Sequence, residues 1–207
     1  QRKGLIQLKQ YEYILHNSRN HSSSIHYNWV AIVCIFFMII VAALQQEVEG
    51  LPWPIQLTGV GKINATRVMV ESIMRNKPNQ VVNFGTAAKC SRKVEVGKIY
   101  EVGTVLQRDM DGTPLGFDQF QTPFGKGSIE ISKTGIVCGT GDNFWEGDAQ
   151  FTEEYDVADM EAYALAVVCK SFDVPFKCFK YISDEGNADQ WEENCKKGVE
   201  LFLKNVK

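Results

Sequence analysis

Met38-Ile39-Ile40-Val41-Ala42-Ala43 is an uninterrupted apolar run rich in β-branched residues. It lacks the polar–apolar alternation of a half-exposed strand, so it reads as a β-strand buried on both faces. A strand covered twice implies helices on either side of a sheet. Outward from it the chain alternates strand-like and helical runs, as an α/β fold requires. A short helix or turn is expected at 45–49, closed by Gly50 and Pro52, and a strand at 55–58 runs into Gly59-Val60-Gly61. The spacing then predicts a helix over 64–76, stopped by Pro78, and a strand over 80–84 ending on Gly85-Thr86-Ala87-Ala88. Two β segments, 98–109 and 128–138, flank a Gly/Pro-rich loop at 111–127 that is too long for a hairpin turn. A helix over 159–172, a strand over 175–183 and one final helix complete the pattern. That last helix carries Trp191, Cys195, Val199, Phe202 and Val206 on one face.

A chain of 207 residues is enough for one well-cored domain. Of its net charge of −3, residues 1–37 carry +3 and the remainder −6. So acidic a body argues against a nucleic-acid-binding surface. His16, His21 and His26 all precede Met38, so the body has no imidazole for proton transfer or zinc ligation near neutral pH. A Ser-His-Asp triad and a Cys-His pair are thereby excluded from it, no metal or cofactor is expected, and acid–base work falls to carboxylates. Cys34, Cys90, Cys138, Cys169, Cys178 and Cys195 show no CxxC spacing, and most lie in apolar runs. They read as buried free thiols of a protein in a reducing cytosol.

The apolar stretch also extends upstream, from Trp29 to Leu44. As a helix it reaches roughly 24 Å, short of a hydrocarbon core of ~30 Å. Cleavage after Ala43 as an export signal removes the strand that the core needs. The expected organisation is therefore an N-terminal appendage at 1–37, outside the fold, and one domain at 38–207.

In α/β sheets ligands collect past the carboxyl ends of strands. The residues there are Glu47, Gly59 to Lys62, Gly85 to Ala87, Gly139 to Phe144, and Ser183-Asp184, while Asp159 to Glu161 lie at a helix start. Gly59-x-Gly61 lacks the third glycine of a dinucleotide fingerprint and alone reads as a tight turn. Read singly, Glu161 also fits a solvated first-turn glutamate and Asp184 a helix cap. Together, Glu47, Glu161 and Asp184 come from distant segments to what this topology makes one edge. Carboxyl groups on opposite sides of a sugar are what glycosidic hydrolysis needs, one to take a proton from water and one to protonate the leaving group.

The ordered set 41–48 (Val-Ala-Ala-Leu-Gln-Gln-Glu-Val), 59–65 (Gly-Val-Gly-Lys-Ile-Asn-Ala), 83–87 (Asn-Phe-Gly-Thr-Ala), Arg108-Asp109-Met110-Asp111, Asp159-Met160-Glu161-Ala162 and Ile182-Ser183-Asp184 resembles the nucleoside phosphorylase superfamily. Within it, the chain is most similar to the bacterial 5′-methylthioadenosine/S-adenosylhomocysteine nucleosidases, over nearly all of 38–207. The resemblance implies a central mixed β-sheet flanked by helices in three layers, and a homodimer that cleaves an adenine nucleoside. It implies Glu47 as the base that deprotonates water and Asp184, preceded by Ser183, as the acid that donates toward purine N7. Glu161 is then the ribose ligand with Met160 under the sugar, Phe144 the ring stacked on the base, and Trp145 the residue whose backbone reads its edge. Thr86 and Lys180 fall where the family has a serine and an arginine near the water and the ribose. Val60, with Leu115 and Pro123 of a neighbouring subunit, lines the 5′-alkylthio pocket.

The chain departs from that pattern at 50–56, where a short segment replaces a longer helix and two strands, predicting a smaller sheet and a more open pocket. Lysine at 180 also cannot reproduce the bidentate grip of arginine. Phosphorolytic relatives place an arginine before the Gly-Ser/Thr turn, whereas this chain has Asn83-Phe84 there, which favours water over phosphate as nucleophile. A competing reading is a non-catalytic nucleoside-binding module tethered to a membrane by residues 29–44.

Overall fold

The structure, a computed structural model, describes residues 38–123, 125, 127–147 and 153–205. The expected appendage at 1–37, Cys34 and Val206 lie outside the described residues. The strands are β1 (Met38–Ala42), β2 (Ile55–Leu57), β3 (Gln80–Lys89), β4 (Ile99–Gln107), β5 (Ser128–Glu130), β6 (Ile136–Thr140), β7 (Val157–Asp159) and β8 (Phe176–Asp184). The helices are α1 (Lys62–Asn76), α2 (Ala162–Ser171), α3 (Ala188–Asn194) and α4 (Val199–Asn205), with 3-10 turns at Gln45–Glu47 and Thr113–Leu115.

Successive residues of β1 serve opposite faces, as the period-2 geometry of a strand dictates. Ile39 and Val41 pack with Ala65, Met69 and Ile73 of α1 and Leu165, Val168 and Cys169 of α2. Ile40 and Ala42 face the other way, against Phe84, Val199 and Phe202, with the Phe84 and Phe202 rings stacked at 4.2 Å. Both faces of this mixed sheet are thus covered, giving the three expected layers. The short connection from Glu49 into β2 adds no further strand.

The mixed sheet is not a simple row of strands. β3 pairs in parallel with β1 and β8, and its last residues, Ala88 and Lys89, pair antiparallel with β7. Since β8 pairs with β4, β4 with β6 and β6 with β7, the strands β3-β8-β4-β6-β7 close into a circuit. The closure depends on β3 being ten residues long, with a register shift between Ala87 and Ala88. Such a bulge bends a strand and lets it change partner. The run 85–88 is therefore strand rather than the turn that Gly85 suggested.

Three more boundaries move for physical reasons. Residues 128–138 form two strands because β5 and β6 both pair with β4, antiparallel and parallel respectively, so the chain must turn between them, as it does at Gly135, φ +117°. The 159–172 helix starts at Ala162, since Asp159 ends β7 and its carboxylate accepts from the Ala162 N–H at 2.8 Å. The C-terminal helix is split over residues 195–198, and at Gly198 a Cβ would stand 2.7 Å from the Tyr181 ring. Cys195, Val199 and Phe202 are buried as expected, but Trp191 turns toward Thr86. The five described cysteines, Cys90, Cys138, Cys169, Cys178 and Cys195, are all free and buried. Among the described residues no helix is long and apolar enough to cross a membrane.

Candidate active site

The site begins with an interruption on one edge of β3. β1 covers that edge up to Asn83 and β7 resumes at Ala88, leaving the residues between without a strand partner there. A buried backbone donor needs an acceptor, and Glu47 supplies it from the 3-10 turn after β1. Its Oε1 accepts from Thr86 N (2.8 Å) and Thr86 Oγ1 (2.7 Å), and its Oε2 from Leu44 N (3.0 Å). Gly85 leaves the space behind this carboxylate open: a Cβ there would lie 3.4 Å from Glu47 Oε1 and 3.5 Å from Lys180 Nζ.

Next to it, the end of β7 and the turn into α2 place two acids. Asp159 forms an ion pair with Lys180 at 2.7 Å, both side chains 1% exposed. Burial works against the charge on Asp159, but Lys180, Thr140 and the Ala162 N–H hold its carboxyl below the usual range. Glu161 Oε1 accepts from Gly61 N at 2.9 Å. Gly61 has φ +93°, a conformation side-chain-bearing residues rarely adopt, and it aims this N–H at the start of α1 toward the carboxylate. Burial, and secondarily the Asp159 charge, push the Glu161 carboxyl up to about 8.

Asp184 closes the opposite side, at the end of β8, and is 1% exposed. Its Oδ2 accepts from Ser183 Oγ at 2.7 Å and its Oδ1 from Gly186 N at 2.8 Å. Burial pushes its carboxyl above the usual aspartate range, against the pull of Ser183, Gly186 and Asn187.

These groups border one pocket of about 200 Å³. Glu47, Thr86, Glu161, Met160, Asp184, Phe144, Trp145 and Val60 all line it, as the sequence led us to expect. Lys180 and Ser183 do not line it. Lys180 is drawn away by Asp159, and Ser183 points behind Asp184 as a donor, so both support other side chains. Leu115, 80% exposed, and Pro123 lie on the long loop and outside this chain's pocket. Among the described residues, no group of His, Cys, Asp and Glu is arranged to hold a metal ion.

The pocket also contains Arg108, Asn143 and Trp191, to which sequence reasoning gave no role. Arg108 Nη1 and Nη2 donate to the side chain and backbone carbonyl of Asn143. Trp191 Nε1 donates to Thr86 Oγ1 at 2.9 Å. The available signal was the indole N–H itself, a polar group that seeks a partner when half-buried. Asp109, from the motif containing Arg108, pairs with Lys62 at 2.6 Å and ties the start of α1 to the end of β4.

Residues 43–207 match the sequence model of the Phosphorylase superfamily. The chain belongs to that superfamily. Among curated members, the 5′-methylthioadenosine/S-adenosylhomocysteine nucleosidase of Haemophilus ducreyi is 30% identical over 151 residues, 61% of this chain. The match spans 65% of that relative's length, just under two thirds. Solved structures share this fold. The Colwellia psychrerythraea nucleosidase of the same name, in complex with adenine, superposes with a TM-score of 0.67 at 19% identity, covering 79% of this chain and 91% of its own. The futalosine hydrolase of Helicobacter pylori gives 0.70 at 17% identity, covering 81% and 95%.

Proposed function

We propose that this superfamily member hydrolyses the N-glycosidic bond of a 5′-substituted adenine nucleoside and releases adenine. The observation that carries the reading is the meeting of Glu47, Glu161 and Asp184, from three distant segments, around one pocket bordered by Phe144 and Trp145. The nucleosidase names of its relatives support it.

In this mechanism Phe144 stacks on the base and the backbone of Trp145 meets its edge, while Met160 lies under the sugar. Glu161 Oε1 is engaged by Gly61, so Oε2 faces the ribose hydroxyls. Water attacks C1′ as the C1′–N9 bond breaks, and the bonding pair leaves with the base. Glu47 takes the proton from water, and Asp184 gives its proton to N7, so the purine departs neutral. A carboxyl raised by burial suits the acid. Water is favoured over phosphate because Lys180 is paired with Asp159 and Asn83-Phe84 stand where phosphorolytic relatives place an arginine.

The same reading makes the exposed Leu115 and Pro123 the cover of a second copy's 5′ pocket, next to that copy's Val60, in a homodimer. Five buried free thiols suit a cytoplasmic protein. The test is adenine release from methylthioadenosine, S-adenosylhomocysteine and 5′-deoxyadenosine, with and without phosphate. Release without phosphate, giving free 5-substituted ribose, is expected. Strict phosphate dependence with a ribose 1-phosphate product overturns hydrolysis, and no release overturns the activity.

A further inference from the structure

Glu47 is reached through a chain of donors that begins outside the strands. Trp191 Nε1 lies 2.9 Å from Thr86 Oγ1, and Thr86 Oγ1 lies 2.7 Å from Glu47 Oε1. An indole N–H only donates, so the Thr86 oxygen accepts from it. A threonine hydroxyl has one proton, and a carboxylate only accepts. The proton is therefore fixed on the Glu47 side. Oε1 then holds two donated bonds, from the hydroxyl and from Thr86 N at 2.8 Å, which fill its lone pairs. Oε2 holds one, from Leu44 N at 3.0 Å, and keeps a lone pair free.

Trp191 is itself anchored. Its helix α3 is capped by Asn187, whose side chain accepts from Gln190 N at 2.9 Å. Asn194, at the far end, donates to Ser183 O at 2.8 Å, which fastens α3 to the strand that ends in Asp184. The indole thus approaches Thr86 from a helix joined to the acid's own strand.

We infer that Trp191 is a positioning residue that turns the Thr86 hydroxyl onto Glu47 Oε1 and leaves Oε2 as the oxygen that takes the proton from water. The inference rests on the hydrolytic reading above. Without the indole, the Thr86 oxygen has a free lone pair that can accept from the attacking water, competing with Glu47 Oε2 for the water's proton. Phenylalanine at 191 keeps the aromatic wall and removes only the donor.

The experiment is a kinetic cycle of wild type, W191F, T86V and the double variant, with foldedness checked by circular dichroism and thermal unfolding. W191F is expected to lower kcat roughly tenfold, the size of one lost hydrogen bond, with KM changed by less than about twofold. W191F in the T86V background is expected to add no further loss, since the hydroxyl it orients is gone. In ¹⁵N–¹H spectra the Trp191 indole resonance should move in T86V. Unchanged kcat in folded W191F, a fully additive double variant, or an indole resonance indifferent to T86V each overturn the inference. If the wild type releases no base from any nucleoside, the hydrolytic reading fails instead, and the indole resonance still reports the Trp191–Thr86 bond. If the wild type is active and W191F equals it, only the role of Trp191 fails.

Discussion

Asp159 and Glu161 are two positions apart in the chain, yet their surroundings drive them in opposite directions. Asp159 meets Lys180 at 2.7 Å and is held ionised. Glu161 is pushed up to about 8 by burial and, secondarily, by the charge that Asp159 keeps. Local sequence barely distinguishes these two acids. What separates them is a lysine contributed by β8, near enough to Asp159 to form an ion pair. The acids across the pocket differ in a related way: Glu47 fills the unpaired edge of β3, while Asp184 is enclosed at a strand end where burial dominates.

The largest effect should come from removing the source of the contrast. Lys180→Met leaves Asp159 buried without its cation and should cost about 3–5 kcal/mol of stability at pH 7, measured by urea unfolding. Wild-type stability in that variant would show that the pair does not set the charge of Asp159. Next in size is catalysis: Glu47→Gln and Asp184→Asn should each lower kcat by at least about a hundredfold. Near-normal turnover in either would remove that residue from the mechanism.

The finest discrimination is by pH. For Glu161, the folded chain keeps a proton between its ordinary 4.5 and about 8 that the unfolded chain has released. With more protons bound in the folded state, stability falls as pH rises through that window, and the deficit is complete above it. Glu161→Gln should therefore stabilise the protein at pH 9 relative to pH 4.5, as read from Tm across that range. A pH-independent difference would contradict the raised carboxyl. Asp159 has the opposite sign, because its folded pKa is lowered. Its contribution is present above the unfolded value of 3.8 and is lost as pH falls through the lower folded value, so Asp159→Asn should flatten the acid limb of the same curve.

Much of the site was legible because its residues sit at strand ends, where apolar runs stop abruptly. Glu47 and Asp184 each follow or close such a run, whereas Thr86, read as lying past a strand end, is inside β3. Phe144 and Trp145 came through the family resemblance. The pairing of Lys180 with Asp159 was not legible, although a lysine within Phe176–Asp184, a mostly buried strand, signals that a carboxylate must meet it. The turn of Trp191 toward Thr86 was missed because helical periodicity placed it with Cys195, Val199 and Phe202. The periodicity failed because the helix carrying Trp191 ends at Asn194, and 195–198 separate it from the helix that carries Val199 and Phe202.

By itself the sequence determined that this is an α/β chain whose body offers carboxylates and no imidazole, because hydrophobic periodicity is a local property and the absence of histidine after residue 37 is a matter of composition. Only the tertiary structure decided which acids are charged, which oxygen of Glu47 is left open, and that the sheet closes on itself. Each of those depends on distances of about 3 Å between segments far apart in the chain, and no local pattern records them.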